Sequence, residues 1–188
     1  MRRAFGLALM ISLMLGFSAC GSAAKHEEVF ESWRSEFNAA ESHMAQAEVS
    51  AISEESETVF LLRCETKGEN VSVEVLEPQM IARVKVNVSE EEGTLAYDGT
   101  VLTLGDIDEA GSSPMLALPL MMELIKEGHL ESVWTETYED GKALVSELEN
   151  GDGVRMQLWQ DYETMKPLFA AVRSGERVEL KIHIQTIE

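Results

Sequence analysis

The sequence predicts an α+β fold, mainly antiparallel β-sheet, and two of its patterns support that prediction. Apolar and polar residues alternate strictly in several short runs, and turn dipeptides that contain glycine separate these runs. Strict alternation is typical of strands that bury one face and expose the other, as antiparallel strands do. The clearest runs are 71–75, 82–88, 154–158 and 178–184.

The turn dipeptides occur at the distances expected of β-hairpins. Glycine tolerates the left-handed backbone that tight hairpin turns require. The dipeptides are Lys67-Gly68, Asp98-Gly99, Asp140-Gly141, Asn150-Gly151 and Ser174-Gly175. No strand–helix–strand rhythm accompanies them, so about ten or eleven strands follow one another as a meander. One large curved sheet or a partly closed barrel is the simplest architecture.

An N-terminal helix is predicted before the first strand, from about His26 to His43. Apolar residues recur there every three or four positions, which places them on one face of a helix. These residues are Val29, Phe30, Trp33, Phe37, Ala40 and Met44. Residues 20–25, which show no such pattern, are predicted to form a tether, and residues 26–188 a single domain.

A second helix is predicted to interrupt the strand meander. Ser112-Ser113-Pro114 is typical of a helix start, with a hydroxyl cap before proline in the first turn, and Gly128 supplies an end. Pro119 lacks an N–H group and should kink this helix or restart it. Apolar residues cover nearly its whole circumference, so we expect it to lie buried across the hollow of the concave sheet.

The first 19 residues are typical of a secretory signal peptide. Two arginines precede an apolar run from Ala4 to Leu15, which is shorter than the roughly 20 residues that a membrane-spanning helix needs. Small residues then lead to Ala19 and Cys20. This ending resembles the lipobox of bacterial lipoproteins, which implies cleavage between Ala19 and Cys20 and a diacylated Cys20. The alternative is an ordinary cleaved signal peptide followed by an incidental cysteine.

The formal net charge of −19 limits the classes of partner. So acidic a surface argues against nucleic acid and against electrostatic binding to anionic lipid headgroups. Cys64 is the other cysteine of the chain, so an acylated Cys20 leaves no internal disulfide. Its apolar surroundings, Val59 to Leu62, predict a buried structural thiol.

Catalytic and metal-binding patterns are weak in this sequence, and we expect no enzyme activity, no metal and no cofactor besides the lipid on Cys20. The four histidines are scattered, at positions 26, 43, 129 and 183. Residues 106–111 partly match a calcium-binding loop, but Ala117 stands where the bidentate glutamate of such a loop would be.

The order of these elements resembles the superfamily of LolA and LolB, outer-membrane lipoprotein carriers. The most specific local match is the run from Leu158 to Leu168, in which Asp161, Thr164 and Pro167-Leu168 resemble the family's late hairpin. Val75–Pro78 and Leu95–Gly99 are similar to segments of small LolA-like lipoproteins. The resemblance implies a half-barrel of about eleven strands, with an N-terminal helix and the central helical insertion on the concave face.

A half-barrel covered by a methionine-rich helix favours a non-catalytic binding or carrier module for an apolar ligand such as a lipid or an acyl chain. Methionine adapts to irregular apolar shapes, so the central helix would contact the ligand or act as a lid. The residues concerned are Met115, Leu118, Met121, Met122 and Ile125. Alternatively, these residues fill the core of a sensor or scaffold that binds another envelope protein, or of an accessory subunit of an envelope enzyme.

The lipid anchor predicts an extracytoplasmic location. In a cell with one membrane, we expect the protein at the outer face of the cell membrane. In a cell with two membranes, Gly21 after the cysteine favours the outer membrane.

Overall fold

Eleven antiparallel strands form one open sheet with the half-barrel architecture that the sequence predicts. The computed structural model describes residues 20–53, 56–89, 93–104, 113–175 and 177–188. The strands are β1 (Ser42–Ile52), β2 (Glu57–Lys67), β3 (Asn70–Glu77), β4 (Lys85–Val88), β5 (Gly93–Tyr97), β6 (Thr100–Leu104), β7 (His129–Tyr138), β8 (Gly141–Glu149), β9 (Val154–Asp161), β10 (Pro167–Ser174) and β11 (Arg177–Ile187).

The sheet consists of two meanders that join at its centre. The strand order is β6-β5-β4-β3-β2-β1-β11-β10-β9-β8-β7, so the first and last strands of the chain are neighbours. Their register places Ala45 opposite Ile187 and Val49 opposite Ile182. The edges of the described sheet are therefore β6 and β7. The central helix, which comes between these two strands in the chain, lies on the concave face, since most of its residues belong to the core cluster with the inward residues of the strands.

The N-terminal helix, α1, spans Cys20–Asn38, and both ends differ from the prediction. Residues 20–25 are helical rather than a tether. At the other end, the helix stops before His43 because the buried residues from that point on recur every second position, as in a strand. His43 and Ala45 are buried in β1, whereas Met44 is on the opposite face and 47% exposed.

The central helical segment changes from a 3₁₀ turn to an α-helix at Ala117, two residues before its proline, rather than restarting at Pro119. A 3₁₀ turn, Pro114–Leu116, precedes α2, which spans Ala117–Glu127. Pro119 is the third residue of α2, where a backbone N–H would have no partner within the helix, so its absence costs little. The predicted hydroxyl cap is wrong for Ser113, whose side chain makes no capping hydrogen bond. Ser112 and the residues 106–111 considered for calcium lie outside the described residues.

Gly128 ends α2, as predicted, but through close packing rather than a left-handed backbone. Its φ is −59°, a value open to any residue. Its N–H group donates to the Leu124 carbonyl oxygen at 3.0 Å. A Cβ atom at this position would lie 2.5 Å from that same oxygen. Glycine is therefore required here by space.

Three turn regions differ in detail from the pattern. In the β8–β9 turn, the left-handed residue is Gly153 rather than the predicted Gly151. Strand β4 begins at Lys85 rather than at residue 82, because Arg83 has a φ of 74° and belongs to the preceding turn. In the β7–β8 hairpin, the left-handed residue is Glu139, so the turn lies before Gly141 rather than on it. The β9–β10 turn follows the predicted pattern. Asp161 Oδ1 there accepts hydrogen bonds from the Thr164 hydroxyl at 2.7 Å and the Thr164 N–H at 2.8 Å.

The hydrophobic core lies between the concave face of the sheet and the two helices. It combines the inward residues of the strands with Phe30 of α1 and most of α2. The largest fully buried side chains are Phe30, Leu62, Leu118, Met121, Met122, Leu124, Ile125, Leu144, Leu148, Met156, Leu158 and Leu180. Cys64 is also fully buried there, as predicted.

Candidate functional site

The methionine-rich helix α2 fills the hollow over much of the sheet. Leu118, Met121, Met122 and Ile125 are each at most 2% exposed and belong to the core cluster. Met115, in the 3₁₀ turn, is only half-buried and lines an open groove. The structure thus brings the first four residues together inside the core and places the fifth at its margin. Contact of this set with a ligand stays a prediction.

The C-terminal end of α2 is fastened to α1. Arg34 Nη2 donates hydrogen bonds to the carbonyl oxygens of Lys126 at 3.1 Å and Gly128 at 2.6 Å, and Asn38 Nδ2 donates to Lys126 at 3.3 Å. The last carbonyl groups of a helix have no partner within it, so these contacts satisfy groups that would otherwise need water. They hold the two helices in one arrangement over the sheet.

An open, largely apolar groove beside Met80, here called the Met80 groove, lies at the other end of the concave side. It lies between the β3–β4 turn, the β5–β6 hairpin and the 3₁₀ turn before α2, and its volume is about 620 Å³. Its lining consists of Met80, Ile81, Val84, Leu95, Tyr97, Asp98, Thr100, Leu102 and Met115. Asp98 is the one charged residue of this lining.

The rim of the Met80 groove is unusually apolar for an exposed surface. Met80 is 86% exposed, Leu102 58% and Tyr97 46%, and the neighbouring Val101 is 64% exposed. Contiguous exposed apolar side chains mark interaction or ligand sites more often than isolated ones do. Sequence analysis missed this feature. The available signal was the apolar pair Met80-Ile81 after Glu77-Pro78-Gln79, where a turn would ordinarily be polar.

A second groove, about 440 Å³ in volume, lies on the other flank of α2. Leu116, Pro119, Leu120 and Met122 contribute its apolar floor, but Glu69, Glu123, Lys126 and Glu127 also line it. Burial raises the pKa of Glu123, and the nearby carboxylates of Glu127 and Asp152 raise it further. More charged side chains, most of them acidic, therefore line this groove than line the Met80 groove, and it suits an uncharged acyl ligand less well.

The groups that could carry catalysis are separated in the structure. Burial raises the pKa of the Cys64 thiol to about 12, which keeps it protonated and unreactive. His43 is buried and stacks on Phe37 at a centroid distance of 3.9 Å, whereas His183 lies on the opposite face of the sheet. Across the described ranges, no group of three or more His, Cys, Asp or Glu side chains could hold a metal ion.

The predicted lipidation site lies at the boundary of the described chain. Cys20 is the first residue of α1, and residues 1–19 are outside the described residues, so the signal peptide and its cleavage after Ala19 stay predictions. Among the helices that the structure describes, none is long and apolar enough to span a membrane.

Comparison with known proteins identifies relatives in structure but not in sequence. No protein-family model and no curated protein sequence matches the chain. A putative outer membrane lipoprotein-sorting protein domain from Vibrio parahaemolyticus matches with a TM-score of 0.51 at 11% identity, over 87% of this chain and 92% of that one. A DUF1329 family protein from Desulfovibrio piger matches with a TM-score of 0.52 at 12% identity, over 88% and 91%.

A LolA superfamily protein from Nitrosomonas europaea is also similar, with a TM-score of 0.42 at 12% identity over 79% of this chain and 86% of that one. At these identities the similarity concerns the fold alone. The chain has the LolA-like half-barrel that its sequence pattern resembles.

Proposed function

We propose that this protein is a non-catalytic, extracytoplasmic binding protein that holds a lipid or acyl chain in the Met80 groove. The observation that carries this proposal is the groove itself, an apolar opening of about 620 Å³ with exposed apolar side chains on its rim. Ligand sites for small molecules are usually concave, largely apolar and about 300–1,000 Å³ in volume. The proposed ligand site is therefore the Met80 groove and not the buried face of α2.

The charges near the groove favour a ligand with an uncharged headgroup. Among the described residues, no Lys or Arg side chain lines the groove, and Asp98 would repel a carboxylate at the rim. The formal charge of the whole chain, −19, also disfavours a negatively charged ligand. A neutral acyl ester therefore suits the site better than a free fatty acid.

A fluorescent acyl probe tests the proposal. A chain that begins at Gly21 should bind a fluorescent fatty-acid methyl ester saturably, and bind the free acid more weakly. Met115→Trp should weaken binding by about tenfold, because the indole fills the groove. Met44→Trp is the matched control, since it makes the same side-chain change on the convex face of β1, away from the groove.

Two results would contradict the carrier proposal. One is the absence of saturable binding by the unaltered protein, and the other is an equal loss of affinity in Met115→Trp and Met44→Trp. Absence of binding would favour the alternative, a scaffold for another envelope protein. The observation that favours this alternative is the complete burial of Met121 and Ile125, which leaves the centre of the hollow filled by the protein's own helix.

We also propose that a lipid on Cys20 anchors the protein at the outer face of the cell membrane, or at the outer membrane of a cell that has one. The support is the run of two arginines, apolar residues and Ser18-Ala19-Cys20. In a bacterial host fed an alkyne fatty acid, the wild-type chain should become labelled and Cys20→Ala should not. An unlabelled wild-type chain would contradict the anchor without affecting the proposed groove.

A further inference from the structure

A second apolar cluster lies on the convex face of the sheet, away from the core. Ala143, Val145 and Ala171 are 1%, 0% and 5% exposed, although their neighbours in sequence, Leu144 and Ala170, point into the concave core. Successive residues of a strand point to opposite faces. Something other than the helices must therefore cover this part of the outer surface.

The cover is a row of aromatic side chains across five neighbouring strands, which we call the aromatic belt: Trp134, Tyr138, Trp159, Phe169 and His183. Trp134 and Trp159 flank Val145 in the strand register. Tyr138 stacks on Phe169 at a centroid distance of 5.8 Å, and Trp159 lies 5.1 Å from Phe169. The three largest rings at the β7 end, Trp134, Tyr138 and Trp159, are only partly buried.

One carboxylate fixes both tryptophans of the belt. The indole N–H of Trp159 donates to Glu136 Oε1 at 2.7 Å, and that of Trp134 donates to Glu136 Oε2 at 3.0 Å. These hydrogen bonds lower the pKa of Glu136, which therefore carries its negative charge at neutral pH. Glu136 itself is exposed and forms no ion pair within the described residues. The belt thus holds the two indole rings in fixed positions around the Glu136 carboxylate, whose charge no described ion pair neutralises.

The belt ends at an edge strand. Among the described strands, β7 pairs with β8 alone. Helix α1 packs against β7, but its apolar side chains belong to the concave core, so the outer edge of β7 has no described strand beside it and offers backbone N–H and C=O groups to a further one. Residues 129–141 contain Glu131, Glu136, Glu139 and Asp140 but no lysine or arginine. A second copy of the chain is disfavoured as the occupant, since pairing two such edges would bring like charges together.

We propose that the β7 edge and the aromatic belt form a docking surface for an extended basic segment of a partner protein. Such a segment adds a strand beside β7, and its arginine or lysine side chains stack on the Trp134 and Tyr138 rings and pair with Glu136. Charge complementarity and the free edge select this class of partner. The surface is on the opposite face from the Met80 groove, so this inference is independent of the proposed acyl binding.

Tryptophan fluorescence provides a direct test in the full-length protein in detergent micelles. The chain has Trp33, Trp134 and Trp159, so a Trp33→Phe background leaves emission from the belt alone. A peptide of about ten alternating arginine and valine residues, the length of a long strand, serves as the probe. We expect saturable, salt-sensitive changes in emission and slower amide exchange in β7 but not in β6. A matching glutamate–valine peptide should not bind.

Glu136→Gln separates the docking surface from general electrostatic attraction. This change should lower the affinity for the arginine–valine peptide by about tenfold. Glu65→Gln, an equal charge change on an exposed residue of β2, which contributes no residue to the belt, should leave the affinity unchanged. Equal affinity in the two variants, no saturable binding, or unaltered exchange in β7 would overturn the proposal. Stronger quenching by an oligomer of N-acetylglucosamine than by the peptide would also overturn it, in favour of a sugar platform.

Discussion

The two ends of the sheet are built from the same hairpin pattern but differ in how completely they are covered. Strands β7 to β11 are 8–11 residues long, and their concave residues, such as Leu144 and Leu158, are fully buried. Strands β4 to β6 are 4–5 residues long, and Leu102 and Val101 remain largely exposed. We call these the sealed end and the open end.

The difference follows from what lies opposite each end. Helix α1 packs against β7, and α2 contacts β8 and β11 as well as β1 and β2. The open end faces instead the short 3₁₀ turn, from which Met115 is the residue that lines the groove. At the open end, too few side chains lie opposite the apolar residues of the strands to bury them. An interior that is filled resists change, whereas an unfilled groove can accept another molecule.

The largest contrast should come from placing a carboxylate at each end. Ile182→Asp puts an unpaired charge in the sealed core, where Ile182 is fully buried, and should cost about 4 kcal/mol or more in the free energy of unfolding. Leu102→Asp, at a residue 58% exposed, should cost about 1 kcal/mol or less. Urea denaturation of both variants measures the difference. Similar losses would show that the two ends are equally packed.

Enlarging side chains along the central segment should give the next largest contrast. Met121→Trp with Met122→Trp overfills the sealed core, at about 1–3 kcal/mol for each change. Met115→Trp extends into the open groove and should lower the melting temperature little. Thermal unfolding followed by circular dichroism checks both. If the double variant melts like the wild type, α2 is a movable lid and not a fixed filler.

A methyl group at Gly128 should have an intermediate effect. The new Cβ would meet the Leu124 carbonyl oxygen at 2.5 Å, so Gly128→Ala should destabilise by about 1–3 kcal/mol. Gly151→Ala is the matched control because no atom lies within 4 Å of its added Cβ. Its stability should stay within about 0.5 kcal/mol of the wild type. The comparison is disproved if the two alanine variants unfold at the same denaturant concentration.

The smallest effect should be a dependence of folding stability on pH that originates at a buried histidine. Burial lowers the pKa of His43 from 6.5, and Lys126 lowers it further. The unfolded chain therefore binds this proton more readily, and stability is lost as pH falls below about 6.5 towards the folded pKa. The difference in melting temperature between neutral pH and about pH 5.5 should be smaller in His43→Gln than in the wild type. An unchanged difference would exclude His43 as its source.

Alternation and turn residues were sufficient to predict most of the fold. The runs at 71–75, 154–158 and 178–184 are strands with the predicted faces, and a helical segment interrupts the meander as predicted, although its α-helix begins at Ala117 and not at Pro119. The end of α1 could not be located because the helical spacing of Phe37, Ala40 and Met44 continues by coincidence across the boundary into β1. The local sequence pattern does not indicate which strands pair with each other. The pairing of β1 with β11 could therefore not be predicted from it either.

The sites were harder to predict than the strands because they break the rule on which the strands were recognised. Met80 is apolar in a turn, and Trp159 and Phe169 occupy outward positions where alternation expects polar residues. The run Ala143-Leu144-Val145-Ser146 is buried at every position, which reveals cover on both faces only once the structure is known. Such exceptions are expected where a surface binds something.

The pairing of β1 with β11 makes completion of this domain depend on its last residues. The six strands from β1 to β6 can form hairpins early, but their attachment to the other meander requires a strand that ends at Ile187. Closing so long a loop is entropically costly and slows folding. A nascent chain that lacks its final eleven-residue strand has two unjoined half-sheets. The half-barrel can therefore form in full only after β11 has been synthesised, and its two halves stay separate until that strand emerges.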